Sequence, residues 1–131
     1  METKDRTAKV HTAHCPARRT LELLGDKWTP LVLYVLTDGA HRFNELQRRC
    51  DGISRKMLTQ TLRRLQRDGL VHRTVYPVVP PHTEYNLTDL GESLMTPLAG
   101  LCAWGALHLP QIEAARNSAA VADKRMLETV P

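Results

Sequence analysis

The sequence predicts a mainly α-helical fold with a two-stranded β wing, a winged helix-turn-helix that works as a dimer. Three stretches predict it. Residues 54–68, SRKMLTQTLRRLQRD, join a narrow apolar stripe to a cationic face. A short helix precedes them across the Gly-containing turn Asp51-Gly52-Ile53, the spacing of a helix-turn-helix. Directly after them come LVHRTVY, PVVPPH and TEYNL: a strand, a loop too rich in proline to sit inside a sheet, and a returning strand.

Taken in order, residues 1–14 are polar and are expected to form a flexible N-terminal tail. Residues 15–116 are expected to form the domain, and 117–131 a tail or a weak helix. Pro16 suits the first position of a helix. Leu21, Leu23 and Leu24 give that helix its apolar side, and Gly25 ends it. Asp26 or Thr29 caps a second helix, WTPLVLYVLT, which is apolar nearly all round and so belongs in a core. Pro30 fits there only within the first turn. Asp38-Gly39 stops that helix. A third helix runs from about Phe43 to Cys50, with Phe43, Leu46 and Cys50 inward.

Ser54 is placed to cap the next helix, because its hydroxyl can accept from a first-turn N–H. Gly69 is placed to close it. Leu58, Leu62 and Leu65 form the stripe, and Arg55, Lys56, Thr59, Gln60, Arg63 and Arg67 surround it with no acidic side chain before Asp68. Arg and Lys can bond phosphates or guanine edges, and Gln can pair with adenine. A solvated surface helix would share this pattern, so the neighbouring elements decide. After the wing, Thr88 caps a long apolar helix, with Asp89 and Glu92 at its positive end. Pro97, Gly100 and Gly105 are expected to kink or interrupt it. Leu98, Leu101, Trp104 and Leu107 give it more apolar surface than a small domain buries alone, which points to a homodimer interface.

Composition narrows the function further. The 131 residues carry a net charge of +4. Between His41 and Arg73 nine Arg or Lys face three Asp or Glu, a local balance of +6 that leaves −2 for the rest. Such a concentration favours a polyanion partner. Cys15, Cys50 and Cys102 make an odd number without repeated spacing, which speaks for a reducing cytoplasm rather than a disulfide framework. Neither a signal peptide nor a membrane span is evident. No phosphate-binding Gly loop, HExxH or nucleophile–base pair suggests an enzyme, and no cofactor is expected. His11, His14 and Cys15 have i, i+3, i+4 spacing but no fourth ligand, so no metal is expected.

The segments CP…LELLGDKWT, RFNELQRRCDGISRKMLTQTLRRLQRDGLVHRTVYPVVPPHTEYNLTDLG and PLAGLCAW together resemble the HxlR-type winged helix-turn-helix regulators, relatives of the MarR group. The resemblance runs from about Cys15 to Trp104. It implies a homodimeric transcription factor, usually a repressor, with base readout by the helix at 54–67 and phosphate or minor-groove contacts from the wing. The candidate contacts to double-stranded DNA are then Arg42, Ser54, Arg55, Lys56, Thr59, Gln60, Arg63 and Arg64, with Arg73 and His82 on the wing.

One branch of that family senses oxidants or electrophiles through a cysteine just before the first helix, where Cys15 stands. Its helix N-terminus and the nearby Arg18 and Arg19 both favour a thiolate. A small buried apolar residue is the competing reading of Cys15, and Cys50 and Cys102 read as core. A non-covalent small ligand is the rival effector. A winged helix used only for protein contacts is the remaining alternative, which the basic face of the helix disfavours.

Overall fold

The computed structural model describes residues 15–129. The tail expected at 1–14, with His11 and His14, lies outside the described residues. The elements are α1 (Pro16–Leu23), α2 (Trp28–Val35), a 3-10 turn (Leu36–Asp38), β1 (His41–Arg42), α3 (Phe43–Arg49), α4 (Arg55–Arg67), β2 (Val71–Tyr76), β3 (His82–Leu87) and α5 (Asp89–Thr129). They form two compact units that divide between Met95 and Thr96.

The first unit is built around α2. Thr29, Val32, Leu33 and Val35 of that helix are buried, as is Leu36 just after it. Leu46 and Cys50 from α3 and Leu58, Leu62 and Leu65 from α4 complete the core. Pro30 falls in the first turn of α2, where its missing N–H costs nothing. The cap is Asp26 rather than Thr29: Asp26 Oδ1 accepts the backbone N–H groups of Trp28 and Thr29, each at 2.8 Å.

The two wing strands expected, β2 and β3, are present, and a third strand, β1, joins them in the sheet. Its order is β1-β3-β2, all antiparallel, with His41 opposite Tyr85 on one side of β3 and Arg73 opposite Tyr85 on the other. A two-residue strand is too short to show alternation, so β1 left no periodic signal. Its His41 is buried. Arg49 can only donate, so the His41 Nε2 at 2.9 Å from Arg49 Nη1 is the acceptor. His41 Nδ1 then carries the proton and donates to the Gly39 carbonyl at 2.8 Å. Arg49 also pairs with Asp38 at 2.7 Å, which ties β1 and α3 to the 3-10 turn that follows α2.

α4 begins and ends where its sequence says. The Ser54 hydroxyl accepts from Met57 N–H at 3.0 Å. At the other end Gly69 takes φ 74°, Gly69 N–H reaches the Gln66 carbonyl, and Leu70 N–H reaches the Leu65 carbonyl. Those two bonds define a Schellman close, which a residue with a Cβ would strain. Thr88 then locks the start of α5. Its hydroxyl donates to the Gly69 carbonyl at 2.6 Å and accepts from Gly91 N–H at 3.0 Å. Gly91 is buried, and a Cβ there would collide with the Leu70 carbonyl.

In the second unit α5 runs unbroken to Thr129 with Pro97 and Pro110 inside it. Of the kink or interruption expected at Pro97, Gly100 and Gly105, no interruption occurs, and of the tail or weak helix expected at 117–131, residues 117–129 are helix. A run of strong helix formers such as Ala, Lys, Arg, Met, Leu and Glu outweighs the single breakers.

Gly91 and Gly100 lie on the same helix in opposite circumstances, since nothing lies within 4 Å of a Cβ added at Gly100. Gly91→Ala is expected to destabilise the protein by about 1–3 kcal/mol in urea unfolding. Gly100→Ala should leave stability unchanged or raise it by up to about 1 kcal/mol. Equal responses at the two positions would contradict this packing.

Candidate nucleic-acid interface

α4 presents three kinds of surface. Leu58, Thr61, Leu62 and Leu65 face the core. On the opposite side Lys56, Gln60, Arg63 and Arg67 follow i, i+4, i+7, i+11, all exposed, and i, i+4, i+7, i+11 is one line along a helix of 3.6 residues per turn. No hydrogen bond or ion pair among the described residues engages these four. Between the two sides, each flank of the helix is pinned to a neighbour.

On one flank Arg55 lies over the Phe43 ring at 4.7 Å and donates to Asn44 Oδ1 at 3.1 Å. Both partners belong to α3. Thr59 is half-buried, and its hydroxyl donates to the Arg55 carbonyl at 2.8 Å. On the other flank Arg64 Nη2 donates to Asp26 Oδ2 at 2.9 Å and to the Thr29 hydroxyl. The structure thus engages Arg64, one of the residues expected at the DNA, in bonds to Asp26 and α2. Its position borders the buried face, and α2 brings an acceptor to it. Burial works to raise the Asp26 carboxyl, but bonds from the Thr29 hydroxyl and N–H, the Trp28 N–H and the charge of Arg64 outweigh it. The carboxyl is held below its usual value.

The wing adds two positions of unequal standing. Arg73 of β2 and Arg63 of α4 line one cleft of about 280 Å³, with Thr59 and Gln66 beside them and Phe43 and Tyr85 along it. Two guanidinium groups without a carboxylate among the lining residues make that cleft a seat for an anion. Gln66 was not anticipated, because its half-buried place on α4 depends on where β2 lies. His82 is on the other face of the sheet, stacked on Tyr76 at 4.7 Å, with Nε2 at 3.2 Å from Glu84 Oε2. His82 thus faces a carboxylate, whereas Arg73 does not. The wing tip at 77–81 is uncharged, and Val79 is almost fully exposed. Arg42 is exposed at the start of α3, where its N–H donates to Glu45 Oε1.

Cys15 directly precedes Pro16 at the N-cap position of α1, with its side chain buried. Cys50 is buried as expected, and desolvation raises its thiol above the usual range against the lowering effect of Arg49. Cys102 is exposed on α5, not in a core. Of the four residues expected at an interface, Leu101, Trp104 and Leu107 are exposed and Leu98 is buried. Among the described residues no group of three or more His, Cys, Asp or Glu is placed to hold a metal ion. No helix there is long and apolar enough to cross a membrane.

A family model described as HxlR-like helix-turn-helix matches residues 23–113. The uncharacterized HTH-type transcriptional regulator YtfH of Escherichia coli K12 is 45% identical over 106 residues, 81% of this chain and 84% of its own length. Among solved structures, the transcriptional regulator ytfH from Salmonella typhimurium aligns with a TM-score of 0.72 at 46% identity, over 81% of this chain and 95% of that one. The redox regulator HypR in its oxidized form aligns with a TM-score of 0.67 at 44% identity, over 70% and 95% respectively.

Proposed function

The chain belongs to the HxlR-like helix-turn-helix family of transcriptional regulators, and from that premise we propose that it is a homodimeric repressor that reads an inverted-repeat operator and releases it when Cys15 reacts. The observation that carries DNA reading is the exposed line of Lys56, Gln60, Arg63 and Arg67, free of internal partners and unopposed by any acid on its own helix. Lys56 and Gln60 lie toward the N-terminal half of α4, the part of a recognition helix that meets base edges. Arg63 and Arg73 share one cleft, which suits a backbone phosphate held between helix and wing. With its uncharged tip, the wing meets the duplex through Arg73 at its root.

The exposed Leu101, Trp104 and Leu107 on one helix support the homodimer reading. Two-fold protein symmetry requires two-fold operator symmetry, with half-sites about 34 Å apart or a multiple of that. The thiol reading is supported by Cys15's place at the N-cap of α1. The structural relative titled a redox regulator in its oxidized form also supports it. Because the thiol is buried, an oxidant or electrophile reaches it only when its surroundings open, which couples the chemistry to a change of conformation.

Binding to the duplex upstream of the protein's own gene is expected to weaken steeply with salt. Each phosphate neutralised contributes about −0.9 to the slope of log K against log salt. Lys56→Ala and Gln60→Ala should each cost specificity on the order of 1–3 kcal/mol, whereas Arg73→Ala should weaken all sequences alike. A slope near zero would sink the reading.

Trp104→Asp is expected to give a monomer by sedimentation and to lose operator binding; a wild-type monomer at micromolar concentration would count against the dimer. Cys15→Ser should bind the operator normally yet ignore diamide and quinones, while Cys50→Ser and Cys102→Ser still respond. Release of the Cys15→Ser protein by diamide would leave a non-covalent small ligand as the better account.

A further inference from the structure

Asp26 is out of character for the surface it joins. It is an acidic side chain, 41% exposed, paired to the one arginine of α4 that lies on the flank toward α2. Its four bonds form a closed set. Oδ1 takes the two N–H groups at the start of α2, and Oδ2 takes the Thr29 hydroxyl at 2.7 Å and Arg64 Nη2 at 2.9 Å. The same Arg64 nitrogen also donates to the Thr29 oxygen, and Thr29 is wholly buried in the core. The carboxylate is thus fixed to α2 before it holds α4. The Arg55 contacts to Phe43 and Asn44 grip the opposite flank. The two grips sit on opposite flanks and oppose a roll of the helix, with the line of Lys56, Gln60, Arg63 and Arg67 between them.

We propose that Asp26 is a positioning residue for DNA recognition: acting through Arg64 and Thr29, it sets the roll of α4 and so the aim of its reading face, without touching DNA itself. The inference rests on the DNA-reading function proposed above. It makes a prediction opposite in sign to simple electrostatics. Removing a negative charge from a protein that binds a polyanion raises non-specific attraction. If Arg64 were merely a phosphate contact, freeing it from Asp26 would strengthen binding further. A positioning role demands the reverse on the specific site, because a rolled helix keeps its charge and loses its register with base edges.

The test uses the full-length protein, the duplex upstream of its own gene and a random duplex of equal length, at one salt concentration. Asp26→Asn is expected to lose operator affinity on the order of tenfold, the usual size of a pair coupling, with random-duplex binding unchanged or tighter. Arg64→Gln should lose as much on the operator, and the double variant no more than the worse single. Asp26→Asn protein that binds the operator as well as wild type, or single losses that multiply in the double variant, overturns the proposal. Should Asp26→Asn fail to fold by circular dichroism, Arg64→Gln decides alone: a loss confined mainly to the operator upholds positioning, and an equal loss on both duplexes refutes it. Wild-type protein without operator binding would defeat the DNA reading itself, a result visible before any variant is made.

Discussion

Everything in the first unit answers to the narrowness of one buried stripe. α4 is mostly polar and charged, and burial of Leu58, Leu62 and Leu65 is its main hold on the core. Each such leucine contributes about 1.5–3 kcal/mol when fully buried, enough to dock the helix. Apolar contact is non-directional, however, and does not say how the helix is turned about its axis. Directional bonds supply that. Ser54 and Gly69 fix the ends, Arg55 fixes one flank, and Asp26 and Thr29 fix the other through Arg64. Charge on the remaining face is left unspent, because the cations nearest the core are the ones given partners.

The legible part of the fold was the part governed by local rules. The Ser54 cap, the Gly69 close, the Thr88 cap and the Leu58–Leu62–Leu65 stripe depend on residues within one helix or turn, and each stands where the pattern put it. What escaped depends on meetings between distant residues. Arg64 looked like any other arginine of its helix until α2 placed Asp26, 38 positions away in sequence, against it. β1 exists only because β3 pairs with it, and nothing local in the sequence sets His82 against both Tyr76 of β2 and Glu84.

The same distinction holds on α5. Local rules treat Pro and Gly one residue at a time, while a long helix sets them against every good helix former around them. Cys102 reads as core from the apolar face it falls on, and a single chain leaves it exposed beside Leu101 and Trp104, the residues expected at an interface. Burial is a property of the assembly in which a residue sits, and a stripe pattern alone does not tell an interior from an interface.

The third strand has a consequence of a thermodynamic kind. By pairing His41 and Arg42 with Tyr85 and Glu84, β1 stitches β3, the central strand of the sheet, to the segment that leads into α3. The His41–Arg49–Asp38 bonds nail the same segment to the 3-10 turn that follows α2. Hairpin and helix pair therefore cannot wander independently. The disorder that a free hairpin would surrender on meeting a ligand has already been surrendered during folding, where the core offsets it. Binding then starts from an ensemble narrowed in advance, and more of each contact's energy is left to appear as affinity.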